Sequence, residues 1–246
     1  IDNSDPFAAL AFRFFFVAVG FLLFSIYSKY SIIIKRKNLI ESVLSGVLFH
    51  GLYLGGVFYS ISIGMPTSIA ALIVTLQPIL TNILSGPILN EKVTLKQWVG
   101  VWLGFLGATL VLGLDLGSKI PLLGLVATLI ALISITASTI WQKKLSNNLP
   151  LSVSNFYQAV GGCFFHILVV IFFAKPYIAF TKTFFLSMGH QIFLVSFGAF
   201  TILMFLIKKN SASKTVSIFF LIPATSALMA WYFLEESLTA TDLLGF

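Results

Sequence analysis

Charged residues are scarce in this 246-residue chain. Asp, Glu, Lys and Arg together make up 9% of the residues, whereas hydrophobic residues make up 58% and the mean hydropathy is +1.01. A soluble domain carries about 25% charged residues, because its surface must face water. The composition therefore excludes a soluble globule of this size and indicates a chain that lies in a lipid bilayer.

The sequence is also poor in the residues that build catalytic and metal sites. Its one cysteine, Cys163, excludes an internal disulfide bond and a cysteine metal site. There is no HExxH, Walker or paired-Asp motif, and the three histidines lack the spacing of metal ligands. We therefore expect no metal and no cofactor, and a membrane-embedded enzyme is kept only as an alternative of another class.

Long apolar runs dominate the rest of the chain. A transmembrane helix needs about 20 predominantly apolar residues, and the apolar residues here do not alternate as they would in membrane strands. The sequence predicts an all-α polytopic membrane protein. Its spans are expected at roughly 6–28, 40–63, 66–87, 95–114, 120–142, 152–174, 189–207 and 212–234.

The basic residues lie in short clusters between these runs. If the loop with Lys35, Arg36 and Lys37 faces the cytoplasm, 11 of the 15 Lys and Arg residues fall on that side, and only Lys119, Lys175 and Lys182 fall outside. This is the positive-inside bias of a membrane protein. The net charge of +7 therefore reflects topology rather than a nucleic-acid-binding face, and the expected partner is the bilayer, with no nucleic acid.

The chain matches itself at an offset of 145 residues. The aligned pairs are Pro78 with Pro223, Glu91 with Glu236, Thr94 with Thr239, and Gly100 with Gly245. A proline in each copy predicts a helix kink, and Thr94 with Gln97 predicts a capping box that starts the next helix, as does Thr239 with Asp242. Counting spans places the two copies in opposite orientations, so we expect inverted repeats at 1–118 and 119–246, an architecture of transporters.

The same offset shows that the span at 120–142 has no partner, because its equivalent would precede residue 1. A tenth helix would begin where the chain ends. We therefore expect a five-plus-five arrangement of which this chain lacks the first and last helices.

At these residues the sequence resembles the EamA family of the drug/metabolite transporter superfamily. The resembling features are the Leu-x-Pro segment followed by an apolar run, Glu, Thr and Gly, once per half, and the A-A-L-A-F-R-F start of the first span. The resemblance implies a ten-helix protein of the inner membrane that exports amino acids, their derivatives or other small metabolites. It does not select the substrate, because one fold serves many functions.

Arg13 is the one charged residue well inside a span, roughly 10 Å from its outer end at 1.5 Å per residue. A charge inside the membrane is costly and is a functional candidate. Arg13 would bind a substrate carboxylate or phosphate, or else bond carbonyl groups of neighbouring helices and fix their packing. No Asp or Glu lies in the middle of a span, so the sequence does not support direct proton coupling.

The remaining candidates are polar groups in spans and residues at helix ends. Besides Arg13, the predicted cavity residues are Thr75, Gln77, Thr81, Tyr53, Tyr157, Gln158 and Thr225. Each is equally consistent with bonds within or between helices. Pro78 and Pro223 are expected to shape helices, and Glu91 and Glu236 either gate a cavity through the following helix or lie solvated at the interface.

One other transport function fits part of the pattern. A lipid-linked carrier or flippase would need a lateral opening and basic groups for a lipid phosphate. Small residues such as Gly51 and Gly55 suit close helix packing and would also suit a homodimer interface. Transport of a small molecule explains the inverted repeats with matched prolines better than an enzyme or a scaffold does.

The topology makes a direct prediction for residues on opposite sides of the bilayer. With Cys163 replaced by Ser, a cysteine at Lys35 is expected to react with a membrane-impermeant maleimide only from the cytoplasmic side, and one at Lys182 only from outside. Labelling of both positions from the same side would refute the orientation.

Overall fold

The computed structural model describes residues 4–113, 119–145, 148–173, 176–235 and 237–246. Within these residues the chain is helical, and eight helices are long and apolar enough to cross a membrane. They are α1 (Pro6–Tyr27), α2 (Arg36–Ser62), α3 (Thr67–Leu89), α4 (Leu95–Leu112), α5 (Leu122–Leu145), α6 (Leu151–Phe173), α7 (Lys182–Lys209) and α8 (Ala212–Phe233). A short helix, α9 (Ala240–Gly245), follows.

All eight predicted spans are present, although two begin earlier than expected. The helix α2 starts at Arg36 rather than at 40, and α7 starts at Lys182 rather than at 189. Both extensions carry basic residues that hydropathy assigns to loops. Long basic side chains can lie along a helix while the charged group stays in water, so the hydrogen-bonded helix continues beyond the apolar run.

Helix starts confirm the predicted capping boxes. Thr94 and Gln97 cap α4 reciprocally, and Thr239 and Asp242 cap α9 in the same way. Hydrogen bonds from the hydroxyl and the backbone amide of Thr239 hold the pKa of Asp242 below its ordinary value, because they favour the charged carboxylate.

The two halves begin their helices at equivalent positions. At the offset of 145, the starts of α1, α3 and α4 at residues 6, 67 and 95 fall on the starts of α6, α8 and α9 at residues 151, 212 and 240. The repeat seen in sequence is therefore also a repeat of helices.

The prolines interrupt their helices one turn earlier than their own positions. In α3 the regular helix stops at Val74 and resumes at Gln77, so that Pro78 is the second residue of the new segment. In α8 a 3₁₀ segment, Ser217–Phe220, precedes the helix that contains Pro223. A proline ring clashes with the carbonyl four residues before it, and those carbonyls belong to Val74 and Phe219. The kinks predicted at the prolines are thus breaks that precede them.

A second pair of irregular segments was not predicted. Val47–Tyr53 in α2 and His190–Phe200 in α7 are π-helical, with hydrogen bonds that span five residues. The offset of 145 places the first segment on residues 192–198, inside the second. Such segments are rare and often mark functional sites. Here each half carries one at the equivalent position of the repeat.

The bundle is centred on α5 and on the crossing of α1, α2 and α6. Within the described residues, α5 is buried over 56% of its most apolar stretch, whereas α4 and α8 are buried over 11%. The α1–α6 contact forms a core cluster around Phe14, which is fully buried. Many large apolar side chains on the outside are exposed, including Leu23, Phe172 and Phe173. This is the surface expected for a protein in lipid.

Helices α2 and α6 approach so closely that their crossing admits only glycine. A Cβ added to Gly46 would lie 2.0 Å from the Gln158 carbonyl oxygen, and one added to Gly161 would lie 2.3 Å from that of Val43. Both obstacles are backbone atoms, which cannot move aside as a side chain can.

We predict that Gly46→Ala separates α2 from α6 and lowers stability by about 1–3 kcal/mol, the usual cost of overpacking. Thermal unfolding of the full-length protein in detergent measures the loss. Gly100→Ala is the matched control, because its Cβ would have no atom within 4 Å. Equal unfolding temperatures for the two variants would contradict the close-crossing interpretation.

Candidate solute pathway between the two halves

Buried polar side chains gather where α3 packs against α5. Gln77 is fully buried, and its Nε2 donates to Thr139 Oγ1 at 3.2 Å and to Thr81 Oγ1 at 3.4 Å. Thr81 and Thr139 are buried as well. Gln77 and Thr81, which the sequence singled out, therefore lie together and meet a residue of α5.

A second group of polar side chains connects α2, α5 and α6. Gln142 Nε2 donates to Gln158 Oε1 at 2.9 Å and to Ser138 Oγ at 3.0 Å. Ser138 in turn bonds the hydroxyl of Ser45 on α2, and Gln158 Nε2 donates to Ser154 Oγ. Gln158 is thus placed within a network of neutral hydrogen-bonding groups. We call this network and the Gln77 group together the amide belt.

Several buried amide atoms on α3, α5 and α6 have no hydrogen-bond partner among the described residues. They are Gln77 Oε1, Gln142 Oε1 and both polar side-chain atoms of Asn82 and Asn155. Leaving one such group unpaired costs roughly 1–3 kcal/mol, and native interiors contain few of them. An amide cluster of this kind has free capacity for a polar molecule at the contact between the halves.

Arg13 lies at another contact between the halves, where α1 meets α7. It is 6% exposed, and its Nε and Nη2 both donate to Ser196 Oγ, at 3.1 and 3.0 Å. Ser196 Oγ donates to the carbonyl of Gln191, five residues earlier in the π-helical segment. Arg13 therefore contacts the irregular part of α7, and it donates to no carbonyl group of the described residues.

The other predicted cavity residues lie apart from the amide belt and from Arg13. Tyr53 is half-buried and packs at the edge of an apolar cluster that includes Phe49 and Phe200. The Tyr157 hydroxyl donates to the Ile32 carbonyl in the loop after α1, at 2.9 Å. The Tyr157 side chain therefore contacts the loop between α1 and α2, at one end of the bundle.

Two predicted hydroxyls bond their own helices. Thr75 Oγ1 donates to the Ala71 carbonyl at 2.7 Å, beside the break in α3. Thr225 is exposed, and its hydroxyl donates to the carbonyls of Leu221 and Ile222. As cavity-lining residues both stay predictions, and the structure places neither in the amide belt.

Glu91 contacts the start of α8 rather than the helix that follows it. Its two carboxylate oxygens accept from the backbone amides of Ala212 at 2.8 Å and Ser213 at 3.3 Å. The first amides of a helix are unpaired and carry partial positive charge, so they attract a carboxylate from elsewhere in the chain. Glu236, the predicted counterpart, lies outside the described residues.

Lys143 contacts the end of α7, the helix that forms a hairpin with α8. Its Nζ donates to the carbonyl oxygens of Ile207 at 2.9 Å and Asn210 at 2.6 Å, at the end of α7. Lys143 and Glu91 also line one shallow cavity of about 300 Å³. We call this arrangement the hairpin clamp, because a cation meets the carboxyl end of α7 and a carboxylate meets the amino end of α8.

Sequence reasoning missed several of these residues. Lys143 was counted only as a topology signal, and Ser138, Thr139 and Gln142 were not singled out. A recognisable signal existed for the last three, since they follow one another at helical spacing within an apolar span. Nothing in the sequence indicated that Ser196 would be the partner of Arg13.

Comparison with known proteins agrees with this architecture. The sequence profile of the EamA-like transporter family matches residues 1–113 and 122–246. The uncharacterized transporter YvbV of Bacillus subtilis is 27% identical over 84% of this chain and 67% of its own length. The uncharacterized transporter YyaM of the same organism is 26% identical over 94% of this chain and 78% of its own.

A solved crystal structure shares the fold. It superposes on 98% of this chain and 83% of its own, with a TM-score of 0.82 at 17% sequence identity. At that identity the likeness concerns the fold alone.

The break in α3 leads to a prediction for Pro78. Pro78→Ala restores the backbone N–H at this position and removes the clash with the Val74 carbonyl, so α3 can continue as one stiffer helix. We expect transport per inserted molecule to fall several-fold while the inserted amount is unchanged.

Pro87→Ala is the control for this prediction, because Pro87 is exposed and lies near the end of the same helix. It is expected to leave transport unchanged. Reduced insertion of Pro78→Ala with normal activity per molecule would show that the break serves folding alone.

Proposed function

The chain belongs to the EamA-like transporter family, and on that basis we propose that it exports a small metabolite, an amino acid or a related compound, across the cytoplasmic membrane. In this proposal the two halves are inverted repeats that open the pathway alternately to either side. The family resemblance implies export of such compounds, and the related proteins of Bacillus subtilis are also named as transporters.

The observation that carries the proposal is the matched irregularity of the two halves. Breaks precede Pro78 and Pro223, and π-helical segments lie at equivalent positions of α2 and α7. Discontinuous helices at corresponding positions of two repeats are the usual surroundings of a transported solute. They supply both freed backbone groups and places where a helix can bend.

The order of the spans supports inversion. Each helix of the first half corresponds to the helix five spans later, and five is an odd number. When every span crosses the bilayer once, corresponding helices run in opposite directions. The same halves then present opposite ends of an equivalent structure to the two sides of the membrane.

The hairpin clamp supports a conformation closed at one end. Glu91 and Lys143 hold the α7–α8 hairpin, and the predicted orientation assigns this end to the cytoplasm. Rocking of the halves would have to break these bonds before the amide belt is reached from that side. The clamp is in this proposal the cytoplasmic gate.

One observation favours a lipid-linked carrier as the second candidate. A groove of about 610 Å³ opens between α3 and α5, lined mainly by apolar residues such as Leu84 and Ile133, with Lys144 and Glu41 among its lining residues. Its apolar walls and Lys144 would suit a lipid chain and a phosphate, whereas Glu41 would repel the phosphate. The buried amide belt has no role in that alternative, so we rank it second.

Metabolite pools distinguish these functions. The full-length gene is expressed in cells, and internal and external pools are compared with those of cells that carry an empty vector. Export is expected to raise one class of solute outside while lowering it inside. Unchanged pools with inserted protein would contradict export, and a changed distribution of a lipid-linked compound would favour the second candidate.

The clamp yields a separate prediction for Glu91. In Glu91→Ala two hydrogen bonds to a charged group are lost, each worth roughly 1.5–3 kcal/mol, so the cytoplasmic end should open more often. In a Cys163→Ser background, a cysteine at the buried Ser85 reports this opening through maleimide labelling in inside-out vesicles. Because about 1.4 kcal/mol corresponds to a factor of ten, we expect labelling at least about tenfold faster than without the Glu91 substitution.

Glu41→Ala is the matched control for Glu91→Ala. Glu41 pairs with Lys37 one turn earlier on α2 at 4.0 Å, and the Lys37 side chain is 82% exposed. A pair with one solvated partner contributes little to stability. Its removal should leave the labelling rate unchanged. Equal labelling rates in the two variants would show that Glu91 does not keep the cytoplasmic end closed.

A further inference from the structure

Three basic or potentially basic side chains surround one phenylalanine in the middle of the bundle. The Phe14 ring centre lies 5.1 Å from Arg13 Cζ, 4.5 Å from the His50 ring and 6.0 Å from the His166 ring. Arg13, His50 and His166 are exposed by 6%, 5% and 0%. They come from α1, α2 and α6, and we call them the Arg–His cluster.

The guanidinium of Arg13 has more donors than the protein uses. A guanidinium carries five N–H groups, yet within the described residues both hydrogen bonds of Arg13 end on the single hydroxyl of Ser196. No carboxylate of the described residues lies within 4 Å of it. A buried charge is retained where it is paired, and a neutral hydroxyl does not pair it.

The two imidazoles add further unpaired nitrogens. The His166 Nε2 donates to the His50 carbonyl at 2.8 Å, within the π-helical part of α2. The Nδ1 atoms of both His50 and His166 are buried without a partner among the described residues. Because Nε2–H of His166 donates to the His50 carbonyl, Nδ1 of its neutral ring is an acceptor. The donors for an anion are therefore those of Arg13, and no carboxylate of the described residues balances its charge.

Two explanations of Arg13 can now be compared. As a packing residue it would need acceptors, and the structure offers one hydroxyl oxygen for two N–H groups. As an anion site it would need free donors, low exposure and no competing carboxylate, and all three conditions are met. The balance of donors and acceptors favours the second explanation.

We propose that the Arg–His cluster is the anion subsite of the transported solute, so that the protein accepts compounds with a carboxylate and rejects organic cations. This inference rests on the proposed transport function and names the charge class of the solute. The carboxylate forms paired hydrogen bonds with the guanidinium, and Phe14 and Phe200, whose ring centre lies 4.7 Å from that of His50, provide apolar contacts. A cationic solute would meet like charge and no partner.

The test uses four derivatives of one amino acid that share its side chain and differ in charge. The N-acetyl amino acid is an anion, the free amino acid a zwitterion, the N-acetyl amide neutral and the methyl ester a cation. Several side chains are compared in this way, and binding to the purified full-length protein is measured by the rise in its unfolding temperature. We expect the anion and the zwitterion to bind and the ester to bind at least about tenfold more weakly.

Two variants separate anion binding from packing. Arg13→Gln keeps an amide that can bond Ser196 but removes the charge, and it should weaken binding of the N-acetyl acid about tenfold or more without changing that of the neutral amide. Ser196→Ala removes the packing contact and keeps the charge, and it should preserve the preference for carboxylates. Arg13→Lys, which retains a charge, should keep part of that preference and serves if Arg13→Gln does not fold.

Each result has a defined meaning. Binding of the ester as strong as that of the acid, equal losses for all derivatives in Arg13→Gln, or no stabilisation by any carboxylate would overturn the anion subsite. Failure of the transport proposal looks different. In that case carboxylates would stabilise the protein through Arg13, but the metabolite pools would remain unchanged.

Discussion

Backbone hydrogen bonding inside a bilayer is the constraint on which the rest of this structure depends, because the hydrocarbon core offers no donors or acceptors to peptide groups. Eight long helices satisfy that constraint over the described residues. Departures from the helix are therefore expensive unless protein groups compensate them. The breaks in α3 and α8 and the π-helical parts of α2 and α7 are such departures, and both halves carry them at equivalent positions.

Side chains beside these departures donate to backbone carbonyls of the same irregular segments. His166 donates to the carbonyl of His50, Ser196 to that of Gln191, and Thr75 to that of Ala71. The same side chains bring polar groups into the bundle at the contacts between halves. Structure and proposed function are connected here, since the proposed pathway runs beside the irregular parts of the helices.

Two kinds of polar region result, and they differ in charge. The amide belt is neutral and lies between α2, α3, α5 and α6, whereas the Arg–His cluster is positive and lies where α1 and α6 meet α2 and α7. Glu91 and Lys143 close the end assigned to the cytoplasm through the two helix termini of one hairpin. A solute that carries a carboxylate on a small polar body would match both regions.

The spans, the repeat, the capping boxes and the proline-linked breaks could be predicted from the sequence, because they follow from local hydropathy and from steric effects within a few residues. That Arg13 meets Ser196, that Glu91 caps α8 and that Gln77 and Gln142 join separate helices became visible only in the folded chain. The π-helical segments were also visible only there, because they contain no proline that would predict an irregular helix. Partners distant in sequence depend on how helices cross, and crossing is set by packing such as that at Gly46 and Gly161, which no local pattern encodes.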